Sequence, residues 1–129
     1  MPGSLLLDTN IVIALLAGDA GVRHRLAEAD LTFLSSTVLG ELHYGARNST
    51  HVKDNLAKID ALAARSAILP VDAATAWHYG RIKSALRAKG RPIPENDIWI
   101  ASVAEQYDLT LVTRDEHFKE VEAIKVEKW

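Results

Sequence analysis

Short apolar runs alternate with longer segments of helical periodicity along this chain. The apolar runs lie at residues 5–7, 31–34, 67–71, 110–113 and 124–126, and each has the length of a strand. The helical segments lie at residues 11–16, 19–28, 38–45, 52–63, 72–90 and 95–107. Strands that alternate with helices indicate βαβ units, in which parallel strands are covered by helices on both faces. The pattern therefore predicts an α/β protein, a three-layer α/β/α sandwich with a mainly parallel sheet of four to five strands, as a single domain over residues 1–129.

Two aspartates follow predicted strands directly. The first strand, Leu5-Leu6-Leu7, is apolar on both faces, as a central strand must be, and Asp8 comes next. Asp115 lies just beyond the fourth strand. Parallel strands end at the same edge of a sheet, and open α/β sheets build their sites at that edge. We therefore expect these two carboxylates to emerge close together.

Two further acids lie on helix faces that the pattern predicts to be buried. Glu41 shares the inward stripe of Val38, Leu42 and Gly45. Asp97 begins the next such stripe, whose predicted members are Ile100, Ala101, Ala104 and Tyr107. Both helices start near the carboxyl edge of the predicted sheet. The four carboxylates are therefore expected to converge in one cleft.

Each acid also has a structural interpretation. Asp8 suits a helix cap and Asp115 a turn of the Asx type. Asp97 would gain roughly 0.3–1 kcal/mol from the positive end of its helix. Glu41 is different, because it is not the glutamate of a capping box and a carboxylate on a buried face is costly without a partner. Taken together, the four acids favour a functional site.

The donor set predicts the kind of ion that such a site would bind. The chain has no cysteine, and its five histidines show no ligand spacing, so we expect structural or surface roles for the histidines. Carboxylate oxygens suit hard cations, here Mg²⁺ or Mn²⁺, with Asp8, Asp97 and Asp115 as the expected ligands. Such ions serve the hydrolysis of phosphodiesters.

Four motifs resemble those of one protein family. They are Leu-Leu-Asp-Thr-Asn at residues 6–10, Gly-Glu-Leu-His-Tyr-Gly-Ala at 40–46, Ile-Pro-Glu-Asn-Asp-Ile-Trp-Ile-Ala at 93–101 and Leu-Val-Thr-Arg-Asp at 111–115. Their order and spacing are similar to those of the PIN-domain ribonucleases, and more narrowly of the VapC toxins of toxin–antitoxin pairs. The resemblance extends over essentially the whole chain.

The resemblance implies a metal-dependent endoribonuclease that cleaves tRNA or rRNA and inhibits translation. It implies an acidic site of Asp8, Glu41, Asp97 and Asp115, in which Asn10 and Thr113 hold the carboxylates and waters. It also implies a PIN-like sheet with the first strand central and the fourth beside it. The expected partners are a cognate VapB-type antitoxin, which would connect the chain to DNA only indirectly, and a second copy of the chain in a homodimer.

One basic segment offers a possible surface for RNA. The net charge of -2 argues against a bulk nucleic-acid binder. Between Asp72 and Glu95, however, every charged residue is basic, with Arg81, Lys83, Arg87, Lys89 and Arg91. This segment is either a solvated helix face or an electropositive rim that holds an RNA backbone. Arg114 could contribute to the rim or could pair with a site carboxylate.

Targeting signals are absent from the sequence in their usual form. No Lys or Arg precedes the first apolar run, and Asp8 interrupts it early. No apolar run is long enough to span a bilayer. We therefore expect a cytoplasmic protein with no membrane association.

Three other classes of protein compete with a nuclease. A non-catalytic PIN-like module that binds RNA or protein would not need all four acids. A receiver-type phosphoacceptor domain would need a paired-acid start and a lysine late in the sheet, which the sequence does not offer. A haloacid-type phosphatase would have Asp-x-Asp where this chain has Asp8-Thr9-Asn10. These differences leave the ribonuclease as the best hypothesis.

Overall fold

A computed structural model describes residues 3–129 and contains a five-stranded, wholly parallel sheet. The strands lie in the order β3-β2-β1-β4-β5. Their bounds are Ser4–Leu7 (β1), Leu31–Ser35 (β2), Ala67–Leu69 (β3), Thr110–Thr113 (β4) and Lys125–Lys128 (β5). The prediction of a parallel α/β sheet with the first strand central and the fourth beside it is confirmed.

Six α-helices and one 3-10 helix connect the strands. The α-helices are Thr9–Leu16 (α1), Ala20–Glu28 (α2), Ser36–Arg47 (α3), Val52–Ala64 (α4), Ala73–Ala88 (α5) and Glu95–Gln106 (α6), and the 3-10 helix is Glu116–Glu120. α1 contacts α2 and α3, α3 contacts α4, and α5 packs against α6, which agrees with right-handed crossovers that leave β1 in opposite directions and cover opposite faces of the sheet. No helix within residues 3–129 is both long and apolar enough to cross a membrane.

The central strand explains where the candidate site lies. Every residue of β1 is buried, and Leu6 is aligned with Phe33 of β2 on one side and Leu111 of β4 on the other. The next two strands in sequence, β2 and β3, lie on one side of β1, and β4 and β5 lie on the other side. The carboxyl end of β1 is therefore a topological switch point. Open α/β sheets bind ligands in the crevice at such a point. Asp8 follows β1 immediately and so enters that crevice.

The predicted inward-facing stripes of α3 and α6 each include one residue that the structure shows to be exposed. Gly45 is exposed, and Ala46, four residues after Leu42, is buried in its place. Tyr107 was expected to face inward but is 37% exposed. The reason is that α6 ends at Gln106 and Tyr107 is its C-cap, where the chain leaves the helical stripe.

β1 and β2 are each one residue longer than the apolar pattern predicts, and two other strands differ by up to two residues at an end. The third strand ends at Leu69 rather than at residue 71, and the fifth covers Lys125–Lys128 rather than residues 124–126. All four residues of β5 are exposed, as an edge strand allows. Its lysines and glutamate are typical of edges that must not pair with another sheet. The apolar pattern therefore locates the edge strand poorly, because this strand buries little apolar surface.

Candidate active site

Asp8 is held by several hydrogen bonds at the buried end of β1. Its Oδ1 accepts the backbone N–H of Thr9 at 2.8 Å, which makes Asp8 the N-cap of α1. Its Oδ2 accepts the hydroxyl hydrogen of Thr113 at 2.7 Å. Burial raises the pKa of the Asp8 carboxyl above its ordinary value, and the hydrogen bond from Thr113 opposes that rise. Asp8 is thus a helix cap and a site carboxylate at once, although the sequence suggested these as alternatives.

Asp115 likewise combines a turn with a place in the site. Its backbone N–H donates to Oγ1 of Thr113 at 2.9 Å. Its own Oδ1 accepts the backbone N–H of His117 at 2.9 Å and so caps the 3-10 helix. This is the Asx-type turn that the sequence suggested. The turn fixes the carboxylate beside the end of β1.

Glu41 and Asp97 approach the same point from two helices. Oε1 of Glu41 accepts the hydroxyl hydrogen of Thr9 at 2.9 Å, which links α3 to the start of α1. Asp97 lies in the first turn of α6. Burial raises its pKa to about 6, and the negative charges of Asp8, Asp115 and Glu41 add to that rise. Thr113 contacts both Asp8 and Asp115, His117 contacts both Asp97 and Asp115, and Glu41 is hydrogen-bonded to the residue after Asp8, so the structure brings the four acids together.

His117 is a member of this group that the sequence analysis missed. Its Nδ1 lies 3.0 Å from Oδ1 of Asp115 and 3.4 Å from Oδ2 of Asp97. Over residues 3–129, these three side chains form the group whose ligand atoms lie within 4.8 Å of one another and could hold a metal ion. The sequence indicates this role only weakly. His117 follows Asp115 by two residues in a turn, and no second histidine lies at the spacing of a helical metal-binding pair.

Asn10 and Thr113, for which the resemblance implied a supporting role, both lie beside Asp8. Nδ2 of Asn10 is 3.4 Å from Oδ2 of Asp8 and 3.5 Å from Oγ1 of Thr113. Oδ1 of Asn10 accepts the backbone N–H of Arg114 at 3.2 Å. The amide therefore ties the loop after β4 to the start of α1, and Thr113 bridges Asp8 and Asp115.

The guanidinium of Arg114 does not join the acidic cluster. It donates to Oδ2 of Asp19 at 3.2 Å and to the carbonyl oxygen of Trp129 at 2.8 Å. The suggestion that Arg114 pairs with a site carboxylate was therefore wrong. Through these contacts the Arg114 side chain links the loop after β4 to the N-cap of α2 and to Trp129.

The donor set fits a hard divalent cation. The site presents four carboxylates, and the raised pKa values of Asp8 and Asp97 show that their negative charge lacks sufficient compensation from protein groups. Oxygen donors of this kind suit Mg²⁺ and Mn²⁺. Asp8, Asp97 and Asp115 could hold the ion.

The predicted basic rim divides into paired and unpaired residues. Arg81 forms an ion pair with Glu105, and Lys83 forms one with Glu95, both on α6. Lys89 lies 3.4 Å from Glu120. Within residues 3–129, Arg87 and Arg91 form no ion pair. Arg91 also lines a surface cleft of about 340 Å³ together with His117, which itself contacts Asp97 and Asp115.

An apolar groove leads away from Glu41 between three helices. Its volume is about 400 Å³, and Ile13, which lines it, is 55% exposed. The other lining residues are Leu16, Ala17, Glu41, Leu42, Gly45, Ala46, Asn55, Lys58 and Ile59 of α1, α3 and α4. An exposed apolar lining next to a charged site is typical of a protein contact surface.

Comparisons with known proteins agree with this fold and identify the family. The PIN domain family matches residues 5–124. A tRNA(fMet)-specific endonuclease VapC of Shigella flexneri is 37% identical over 127 residues, covering 96% of both chains. The chain therefore belongs to the PIN domain family, in its VapC group.

Solved structures place the chain in the same group. It matches a chain of VapBC2 from Rickettsia felis, determined bound to a DNA fragment from its promoter, with a TM-score of 0.91, 31% identity and 98% coverage of both chains. It matches DNA-bound VapBC from Salmonella typhimurium with the same TM-score of 0.91, 32% identity and 98% coverage of both chains. The similarity extends over nearly the whole length of each chain.

Proposed function

We propose that this chain is a metal-dependent endoribonuclease, the toxin of a toxin–antitoxin pair, which hydrolyses RNA phosphodiester bonds and inhibits translation. The observation that carries the proposal is the convergence of Asp8, Glu41, Asp97 and Asp115 at the carboxyl edge of the sheet. The VapC relatives named as ribonucleases support it. The alternative of a non-catalytic binding module gives no reason for a cluster of mutually repelling carboxylates, one of them buried and three partly buried, which costs stability.

The side chains take different parts in this reaction. Bound Mg²⁺ or Mn²⁺ would neutralise the phosphodiester, lower the pKa of a water and stabilise the leaving oxygen. Asp8, Asp97 and Asp115 would hold the ion through carboxylate oxygens, and Thr113 and Asn10 would keep Asp8 in the orientation that this requires. Glu41 is oriented by the hydroxyl of Thr9 at Oε1, so that Oε2 can orient a water.

We propose a structured RNA, tRNA in the first instance and rRNA as the other candidate, as the substrate. The name of the Shigella flexneri relative, a tRNA(fMet)-specific endonuclease, supports this choice. Arg91 lines the same cleft as His117, which contacts Asp97 and Asp115, and Arg87 lies four residues earlier in the last turn of α5. Their guanidinium groups would hold the phosphates that flank the cleaved bond. Arg81 and Lys83, which are already paired, would contribute less.

We propose a cognate antitoxin of the VapB type as the protein partner, since the matched solved structures are VapBC complexes. The apolar groove that begins at Glu41 would receive a segment of it and so block access to the acids. DNA would then be contacted through the antitoxin. Such a complex would form in the cytoplasm, where RNA and operator DNA are present. Homodimerisation stays a prediction.

Two aspartate variants test the proposed function. We expect Asp8→Asn and Asp97→Asn to abolish cleavage of tRNA transcripts and toxicity on induction, because each removes a carboxylate ligand and keeps the shape of the side chain. Asp60→Asn, on an exposed face of α4, is the matched control and should cleave normally. EDTA should stop cleavage by the native chain. Full activity of either site variant, or activity undiminished by EDTA, would contradict the proposal.

A further inference from the structure

The imidazole of His117 lies against two carboxylates of the acidic cluster. Its Nδ1 faces Oδ1 of Asp115 at 3.0 Å and Oδ2 of Asp97 at 3.4 Å. The backbone N–H of His117 donates a hydrogen bond to the same Oδ1 of Asp115, and the next residue, Phe118, is fully buried. The 3-10 helix therefore presents the ring to the cluster from a fixed backbone.

We propose that Nδ1 of His117 is a ligand of the ion that binds Asp97 and Asp115, an inference that rests on the proposed metal-dependent function. An octahedral ion with bonds of about 2.1 Å separates adjacent ligand atoms by roughly 3.0 Å. The two distances from Nδ1, 3.0 and 3.4 Å, are of this size. Since the ligand atoms of Asp97, Asp115 and His117 all lie within 4.8 Å of one another, a modest contraction would place one ion in contact with all three side chains.

A nitrogen ligand changes which ion the site prefers. Mg²⁺ strongly favours oxygen donors, whereas imidazole suits first-row transition ions, among which Mn²⁺ also accepts carboxylates. A purely acidic cluster would bind either ion through oxygen alone. With His117 included, the site would favour Mn²⁺ over Mg²⁺.

The competing interpretation is that His117 is only a hydrogen-bonding or ion-pairing neighbour of the carboxylates. In that case the ring would orient Asp97 and Asp115 but would not contact the ion. Loss of the ring would then weaken the binding of both ions to a similar degree. Direct detection of nitrogen beside the ion separates the two interpretations.

The experiment measures ion binding without RNA. Electron spin echo spectroscopy of Mn²⁺ bound to the full chain detects coupling to a coordinated ¹⁴N, and calorimetry gives the dissociation constants for Mn²⁺ and Mg²⁺. The variants are His117→Ala, His117→Gln, which offers an amide oxygen in place of the ring nitrogen, and His24→Ala as control. His24 is an exposed histidine paired with Glu28 on α2. Thermal unfolding checks that each variant is folded, as expected for a half-exposed side chain.

We expect a nitrogen coupling in the native chain and in His24→Ala that is lost in both His117 variants. His117→Ala should raise the Mn²⁺ dissociation constant about 10- to 100-fold. The Mg²⁺ constant should change much less, so the preference for Mn²⁺ falls in both variants. Absence of nitrogen coupling in the native chain, or an unchanged ratio of the two constants in His117→Ala, overturns the inference. Either result can occur while cleavage of RNA still depends on Asp8, so failure here is distinct from failure of the proposed function.

Discussion

The hydroxyl of Thr113 donates to Oδ2 of Asp8 across 2.7 Å and joins the carboxyl ends of two adjacent strands. The same oxygen accepts the backbone N–H of Asp115 at 2.9 Å. One side chain, 2% exposed, therefore positions an acid from β1 and an acid from the loop after β4. This relationship makes the threonine a structural support of the proposed site.

Replacing Thr113 by Val should weaken both the fold and the site. The valine keeps the volume but removes the donor, so the buried carboxylate of Asp8 loses its shortest side-chain hydrogen bond. We expect a loss of about 1–3 kcal/mol in the free energy of unfolding, measured by urea denaturation. RNA cleavage should also fall, because Oδ2 of Asp8 then keeps only the longer hydrogen bond from Asn10 and is less firmly oriented. Thr110→Val, half-buried on the same strand, is the control, and equal losses in both variants would contradict this role for Thr113.

Asp97 should make stability depend on pH in the weakly acidic range. Its folded pKa is about 6, above the ordinary value of 3.8, so between these pH values the folded state binds more protons than the unfolded state. Stability therefore falls as pH rises from about 4 to about 6, and the loss is complete above that range.

Asp97→Asn isolates this effect, because the amide does not titrate. The free energy of unfolding is measured in EDTA for the variant and for the native chain, and the native value is subtracted from that of the variant. This difference should increase by about 1–2 kcal/mol from pH 4 to pH 7, a magnitude that allows for solvent screening. It should then stay constant up to pH 8. A difference that does not vary with pH would show that neither burial nor the neighbouring carboxylates raise the pKa of Asp97 in the folded chain.

Local patterns predicted the parts of this molecule that depend on neighbouring residues in the chain. The buried run of β1 and the acid directly after it determined the central strand and the place of Asp8. The contacts of His117 and Arg114 could not be predicted in this way. The first depends on the path of a short 3-10 turn, and the second joins residues far apart in sequence, Arg114 and Asp19. Side-chain partners of that kind are set by tertiary packing.

The basic residues of α5 and the following loop should differ in their effect on RNA binding. Arg87 and Arg91 have no ion pair within the described chain, whereas Arg81 and Lys83 are paired with Glu105 and Glu95. In an Asp8→Asn background that prevents cleavage, Arg87→Ala with Arg91→Ala should weaken binding to tRNA. The slope of log K against log salt should also decrease by roughly 0.7 for each lost phosphate contact.

The paired residues provide the comparison for that experiment. Arg81→Ala with Lys83→Ala removes the same formal charge from the same segment, yet should reduce both affinity and slope less, because those charges are already partly neutralised. Filter binding or fluorescence anisotropy at several salt concentrations measures both quantities. Equal effects of the two double variants would mean that only total charge matters, and unchanged binding after loss of Arg87 and Arg91 would remove the proposed rim.

The apolar groove beside Glu41 should be needed for inhibition by the antitoxin but not for cleavage. Ile13 lines it and is 55% exposed, so a charge at this position is tolerated by the free chain and strongly disfavoured in a buried contact. We expect Ile13→Asp to retain RNA cleavage and to weaken binding of the cognate antitoxin by at least tenfold, about 1.4 kcal/mol. Leu31→Asp is the control, since Leu31 is 51% exposed at the amino end of β2, at the edge of the sheet opposite the acids. Calorimetry of the two variants with the antitoxin decides the matter, and normal inhibition of Ile13→Asp would place the antitoxin elsewhere on the surface.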